Sequence, residues 1–142
     1  MTDVVGWREW VALPDLGITT LKCKVDTGAK NSALHAFEVE EFKKDNQSWV
    51  RFYIHIDEDD LSKVQTCEAL IQDTRAVTDS GGNVTERYFI NTTLEIGNLK
   101  YVIPVSLTSR DTMAFKMLLG RTAMRKAGLL VNPKKSFLQG KK

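Results

Sequence analysis

The sequence is poor in the residues that usually announce a metal or a cofactor. Among 142 residues there are two histidines, His35 and His55, and two cysteines, Cys23 and Cys67. Neither H-E-x-x-H nor C-x-x-C occurs, and this scattered set makes a poor group of ligands, so no metal is expected. A G-x-x-x-x-G-K-[ST] loop is absent too, which leaves ATP without that cradle, and no cofactor is expected. Charge of one sign is equally scarce. The net charge is +2, and the basic residues are dispersed apart from Lys134, Lys135, Lys141 and Lys142, which read as a solvated tail. No nucleic-acid partner is expected. No apolar run approaches the ~18 residues needed to cross a bilayer, so neither is a membrane. The opening "MTDVVGWREW" has no basic segment followed by an apolar one, which argues against a signal peptide. In that setting the two cysteines read as reduced core thiols rather than a disulfide, and a cytoplasmic location is expected.

What is present is a soluble, strand-rich chain. Apolar residues at 42% and charged residues at 27% are enough to build a core without disorder, and the length fits one domain spanning 1–142. "LKCKVD" alternates Leu21, Cys23 and Val25 with polar residues. "WVRFYIHID" alternates Val50, Phe52, Ile54 and Ile56 with Trp49, Arg51, Tyr53 and His55. Two long β-prone runs, "QTCEALIQDTRAVTD" and "NVTERYFINTTLEI", flank the turn cluster "DSGGN" and predict a long hairpin. Gly97 and Asn98 form a turn into "LKYVIPVSL", where Pro104 suggests an edge or a strand end. Near the C-terminus "KMLLG" predicts a short buried strand, "RTAMRKAG" one or two helical turns stopped by Gly128, and "LLVNP" a last strand. The expected architecture is mostly β with one short helix near its end.

One stretch stands out, "LKCKVDTGAKNSALHA" at residues 21–36. An acid at the end of an apolar strand is costly to bury unless something stabilises or shares its charge. The small residues behind Asp26 let a backbone or a second chain come close. Asp26 is therefore the candidate catalytic residue, framed by Thr27, Gly28 and Ala29. The plain alternative is an Asx-type turn acid capping local backbone.

Four features together, "VDTGA", "DSGGN", "LEIGNLKYVIPVSL" and "MLLGRTAMRKAGLLVNP", resemble the retropepsin-like aspartic peptidases. More narrowly, "GWREWVALP", "DTGAKNSALHA" and "MLLGRTAM" look like the bacterial retropepsin-like family labelled "ATP-dependent zinc protease", whose members are often found beside RimK-type ATP-grasp glutamate ligases. The resemblance implies a closed β-barrel of the acid protease fold and a hydrolase that splits peptide bonds. In such a site one carboxyl takes a proton from water and a second protonates the carbonyl oxygen. This chain carries one such turn, so the resemblance implies a homodimer with Asp26 contributed by each copy. Ser80, Gly81 and Gly82 would tip a flap over a peptide or protein substrate. Arg121 and Gly120 read as structural support for the turn. Viral members often carry an acid directly after D-T-G-A, where this chain has Lys30, so Arg121 must find another partner and viral substrate contacts do not transfer.

The remaining polar residues admit plainer readings. His35 reads as a hydrogen-bonded structural histidine and His55 as exposed. "DSG" at Asp79 sits at a hairpin tip, with too little chain after it for a second lobe. Arg75, Glu86 and Arg87 are expected to pair across the hairpin and fix its register, the alternative being selection of a charged substrate. Trp7 and Trp10 are expected in the core or a dimer contact. Two further readings of function stay open. One is a non-cleaving module that binds a RimK-type ligase or its glutamylated product; the other is a zinc-dependent protease.

Overall fold

The structure, a computed structural model, describes residues 3–57, 59–78, 81–108 and 115–141. The first strands are β1 (Val4–Val5), β2 (Arg8–Leu13), β3 (Ile18–Val25) and β4 (Ser32–His35). Three more follow, β5 (Phe37–Lys44), β6 (Gln47–His55) and β7 (Val64–Leu70). Then come β8 (Asp73–Thr78), β9 (Val84–Ile96), β10 (Leu99–Thr108) and β11 (Met117–Leu119). Helix α1 (Arg121–Ala127) and β12 (Leu130–Val131) complete the series.

Six of these strands close a ring. The order is β10-β4-β11-β3-β2-β9, and β9 pairs back onto β10 from Leu99↔Ile96 to Ser106↔Phe89. Alternation explains which side chains fill it. Leu21, Cys23 and Val25 of β3 are buried, as are Ile90, Leu94 and Ile96 of β9 and Ile103, Val105 and Leu107 of β10. Each large apolar side chain buried this way contributes about 1.5–3 kcal/mol. A second sheet, β5-β6-β7, lies outside the ring. Its Val50, Phe52, Ile54 and Cys67 join the barrel residues in one continuous core. The described residues form the mostly-β fold with one short α-helix near its end that the sequence predicts, and Gly128 ends that helix in the left-handed region (φ 66°).

Several local expectations need correction. "QTCEALIQDTRAVTD" is two strands, because the chain leaves the outer sheet at Ile71, whose N–H donates to Ser48 O, and joins the barrel at Gln72, whose N–H donates to Phe89 O. Pro104 lies inside β10, not at its end. It faces Asn91 of β9, and β4 takes the other edge only from Val105 onward, so no ladder N–H is needed at Pro104 on that side. The hairpin register sets Arg75 opposite Arg87 and Glu86 opposite Ala76, and Arg75 binds Asp73 on its own strand at 2.7 Å.

The C-terminal segment is docked rather than solvated, although Lys134, Lys135 and Lys141 are themselves exposed. Its anchor is Glu9, fully buried, whose carboxylate accepts the N–H groups of Gly6 (2.6 Å), Leu138 (2.9 Å) and Gln139 (3.0 Å). Trp7 N–H donates to Lys135 O and Phe137 N–H to Arg8 O. Alternation along β2 sends Glu9 and Val11 inward and Trp10 outward, and both Trp10 and Trp7, which lies just before the strand, are partly exposed and not core residues. Trp10 stacks on Phe137 at 5.3 Å, and Trp7 meets the edge of Phe115 at 5.8 Å. Lys142 lies outside the described residues.

Candidate active site

Asp26 follows β3 directly and is held by three backbone contacts. Its N–H donates to Leu119 O of β11 (2.9 Å), and its carbonyl accepts Ala29 N–H (3.2 Å). Its Oδ1 accepts Gly28 N–H (2.9 Å). A Cβ on Gly28 would stand 3.2 Å from that same oxygen, so any larger residue there would crowd the carboxylate. Asp26 is half-buried, while Thr27 and Gly28 are exposed. The turn therefore presents a carboxylate on a fixed backbone, at a surface another molecule can reach.

The late Leu-Leu-Gly-Arg run interlocks with this turn. Parallel pairing of β11 with β3 (Leu119↔Val25) brings the two motifs side by side. Arg121 N–H then donates to Ala29 O (2.8 Å), and Thr122 donates to Lys30 O through both N–H (3.1 Å) and Oγ1–H (2.9 Å). The Arg121 side chain sends Nη1–H to Thr27 O at 3.0 Å. With Lys30 where viral members carry an acid, the guanidinium takes a backbone carbonyl of the turn itself. Gly120 packs so closely on Asn31 that a Cβ would lie 2.5 Å from its carbonyl carbon. Its N–H donates to Ser32 Oγ (3.0 Å). The helix is fixed from its other side by Tyr101, whose hydroxyl donates to Ala123 O (2.9 Å), and by Lys126, whose Nζ donates to Val102 O (2.6 Å).

The β8–β9 hairpin projects from the ring, with most of β8 and the first three residues of β9 exposed. Gly81 and Gly82 lie at its tip, Gly82 at φ 84° with open space around it, and Val84 is 64% exposed. Ser80 and Asp79 lie outside the described residues. His35 is buried with Nδ1 2.6 Å from Thr108 Oγ1, and His55 is partly buried, stacked on Phe37 at 4.4 Å. Cys23 and Cys67 are free and buried; burial pushes the Cys67 thiol up to about 12 and the Cys23 thiol higher still, helped by the Glu9 charge. Among the described residues no three His, Cys, Asp or Glu side chains gather to hold a metal, and no helix is long and apolar enough to cross a membrane. The sequence reading missed Ser32 and Glu9. Recognising β2 as a strand would have exposed Glu9 as an acid on an inward-facing position.

A closed barrel presenting one Asp-Thr-Gly turn, braced by Gly-Arg at the start of a late helix, defines a retropepsin-like aspartic endopeptidase fold. The family model described as "Retropepsin-like aspartic endopeptidase RimB" matches residues 4–142, and the chain belongs to this RimB-like family. A Shewanella pealeana protein named "Probable alpha-L-glutamate ligase" is 36% identical over 139 residues, 98% of this chain. A protein of the same name from Parasynechococcus marenigrum is 39% identical over 137 residues, 96% of this chain. The chain spans about 30% of the length of these relatives. A crystal structure of a Legionella pneumophila protein of unknown function superposes with a TM-score of 0.82 at 25% identity, covering 98% of this chain and 99% of that one.

Proposed function

We propose that the protein is a cytoplasmic, homodimeric aspartic endopeptidase whose two Asp26 carboxyls, one from each copy, share a proton and activate water. The ionised carboxylate takes a proton from water as the oxygen attacks the peptide carbonyl carbon. The protonated partner gives its proton to the carbonyl oxygen. Collapse of the resulting gem-diol breaks the C–N bond as the leaving nitrogen gains a proton. The observation that carries this reading is the fixed carboxylate of Asp26, held by Gly28 N–H in a turn that Arg121 braces through Thr27 O. Thr27 at the exposed turn would meet its counterpart across the two-fold axis, and the 78–84 hairpin would close over the substrate.

Chains rich in glutamate are the substrate class this reading favours. The relatives are named for glutamate ligation, and the residue behind the turn is the exposed Lys30 rather than an acid. The test is cleavage of poly-α-glutamate and of a mixed peptide library by wild type and Asp26→Asn, with sedimentation of both. Both proteins should sediment as dimers, and only wild type should cleave, with at least about a thousandfold loss in the variant. Equal cleavage by the two proteins, or a monomeric active species, overturns the reading.

A second reading has its own support. Segments like this chain form part of longer proteins named as ligases, so a module that binds the ligase or its glutamylated product without cutting is the alternative. Equal binding of a glutamate ligase by wild type and Asp26→Asn, with no cleavage by either, would favour it.

A further inference from the structure

Both arms of the β8–β9 hairpin are rooted in the outer sheet. Only Ile71 and Gln72 separate β7 from β8, and their N–H groups go to different sheets. Ile71 donates to Ser48 O just inside β6 (3.0 Å), and Gln72 donates to Phe89 O of β9 (2.8 Å). One arm therefore leaves the outer sheet with no slack in the chain. The other arm is tied by a side chain. Successive residues of β9 leave opposite faces, so Phe89 and Tyr88 point apart. Phe89 is buried, with the Arg75 guanidinium of the same hairpin 4.2 Å over its ring. Tyr88 packs its ring against the shared core and donates its hydroxyl to Glu41 Oε1 of β5 at 3.2 Å. Burial, with the Glu41 contact and the nearby Glu86 charge, holds that hydroxyl above its ordinary range, so it remains a donor at neutral pH. Towards the tip Val84, Thr85 and Glu86 are exposed, and Gly82 has open space around it.

Simple alternation would not bring Glu41 to this place. Between the pairs Phe37↔Tyr53 and Glu40↔Arg51, β5 carries one residue more than β6, and Glu38 within that stretch stands at φ 51°. Side chains alternate with a period of two, so one extra residue exchanges the faces of everything after it. Without the bulge, Val39 and Glu41 would share the outer face with Phe37. With it, Val39 packs on the core, Glu41 stands opposite the buried Val50, and Glu40 takes the outer face opposite Arg51. A glutamate at positive φ is strained, and such strain persists where the surrounding structure holds it in place. Here the bulge aims Glu41 at the root of the hairpin.

We propose that Tyr88 and Glu41 form a positioning pair that sets the rest position of the flap over the Asp26 turn, so that the outer sheet governs how tightly a peptide is held. This rests on the reading of the hairpin as a flap. A flap must lift to admit a peptide and return to cover it. With one arm fixed at Gln72, a strut between Tyr88 and Glu41 limits the lift of the other. Losing the strut widens the range of the tip and weakens substrate binding, while the bond-breaking step at Asp26 is untouched.

The test compares wild type with Tyr88→Phe, Glu41→Ala, their double variant, and Glu40→Ala as a control on the opposite face of β5. Backbone 15N relaxation of Gly82 and Val84 is measured without substrate, and then KM and kcat are measured on the best-cleaved member of the peptide library. Tyr88→Phe and Glu41→Ala should each increase the motion of both amides and raise KM about three- to tenfold at unchanged kcat. The double variant should be no worse than either single one, because both remove the same contact. Glu40→Ala should match wild type. Unchanged relaxation in the two single variants, additive effects in the double, a fall in kcat in place of the rise in KM, or an equal response to Glu40→Ala would overturn the proposal. If wild type cleaves no peptide, the catalytic reading falls and the relaxation data alone still decide whether the strut holds the hairpin.

Discussion

The guanidinium of Arg121 donates to the carbonyl oxygen of Thr27 at 3.0 Å, across 94 residues of chain. That contact, with Arg121 N–H on Ala29 O, makes the Asp26 turn and the start of α1 one rigid unit. The turn cannot shift without the helix. A backbone carbonyl of the turn itself, and not an acidic side chain, is thus the partner of the Arg121 guanidinium.

Replacing Arg121 with lysine separates its charge from its geometry. A single ammonium cannot reproduce the planar reach of the guanidinium to Thr27 O. The contact is solvent-exposed, so unfolding free energy should change by less than about 1 kcal/mol. Under the proposed mechanism Arg121 positions the turn, and kcat should fall about tenfold or more with KM little changed. The amide signal of Gly28 should move as well. A variant with wild-type kcat and an unmoved Gly28 signal would remove Arg121 from the positioning role.

Gly120→Ala tests the brace from the steric side. The added Cβ would meet Asn31 carbonyl carbon and oxygen at 2.5 and 2.6 Å, both of them backbone atoms that cannot rotate away. A loss of about 2–3 kcal/mol in denaturant unfolding is expected. Gly82→Ala makes a useful contrast, since its Cβ meets nothing within 4 Å and only the φ of 84° is strained, for about 1 kcal/mol. Equal midpoints for the two variants would contradict the packing described for Gly120.

Much of this architecture was readable before any coordinates. The β3 and β6 faces followed from period-two alternation, and Gly128 and the Gly97–Asn98 turn marked real ends. β5 escaped because its residues are half-exposed or exposed throughout, so no apolar face marks it. Its turn uses Asp45 and Asn46, both at positive φ (53° and 62°), a hairpin signal without the usual glycine. β2 was hidden by the opposite problem, an acid on its inward face. A buried Glu reads as polar in any pattern count, and its stabilising partners, Gly6, Leu138 and Gln139, lie at both ends of the chain. No local window around Glu9 contains Leu138 or Gln139. The brace around Asp26 was legible as two motifs, whereas the carbonyl that Arg121 adopts depends on a register between β3 and β11 that spacing alone does not give.

Glu9→Gln keeps the size of the side chain and spoils its chemistry. A carboxylate offers two acceptor oxygens to three N–H donors, while an amide turns one of them into a donor facing a donor. The position is fully buried, so a loss of about 2–3 kcal/mol is expected. Hydrogen exchange should accelerate at Leu138 and Gln139 before it does so in the barrel strands. Unchanged protection at those two amides would show that Glu9 does not hold the C-terminal segment.

The two buried thiols set an alkaline limit on stability. Burial raises the Cys67 thiol from 9.0 to about 12, and Cys23 is raised further by burial and the Glu9 charge. A group whose folded pKa is raised keeps its proton in the folded state after the unfolded chain has lost it. The native state then binds more protons than the unfolded one, so this source leaves stability unaffected below pH 9 and lowers it as pH climbs from 9 towards 12. The slope is up to ~1.4 kcal/mol per pH unit for each thiol. Denaturant unfolding between pH 8 and 10.5 should show this decline in wild type, and a Cys23→Ala, Cys67→Ala double variant should show a shallower one. In the native protein at pH 8 neither thiol should react with a disulfide reagent within minutes, and both should react once the chain is unfolded. Rapid labelling of the folded chain, or parallel pH profiles for wild type and double variant, would mean that the thiols titrate in the folded state much as they do in water.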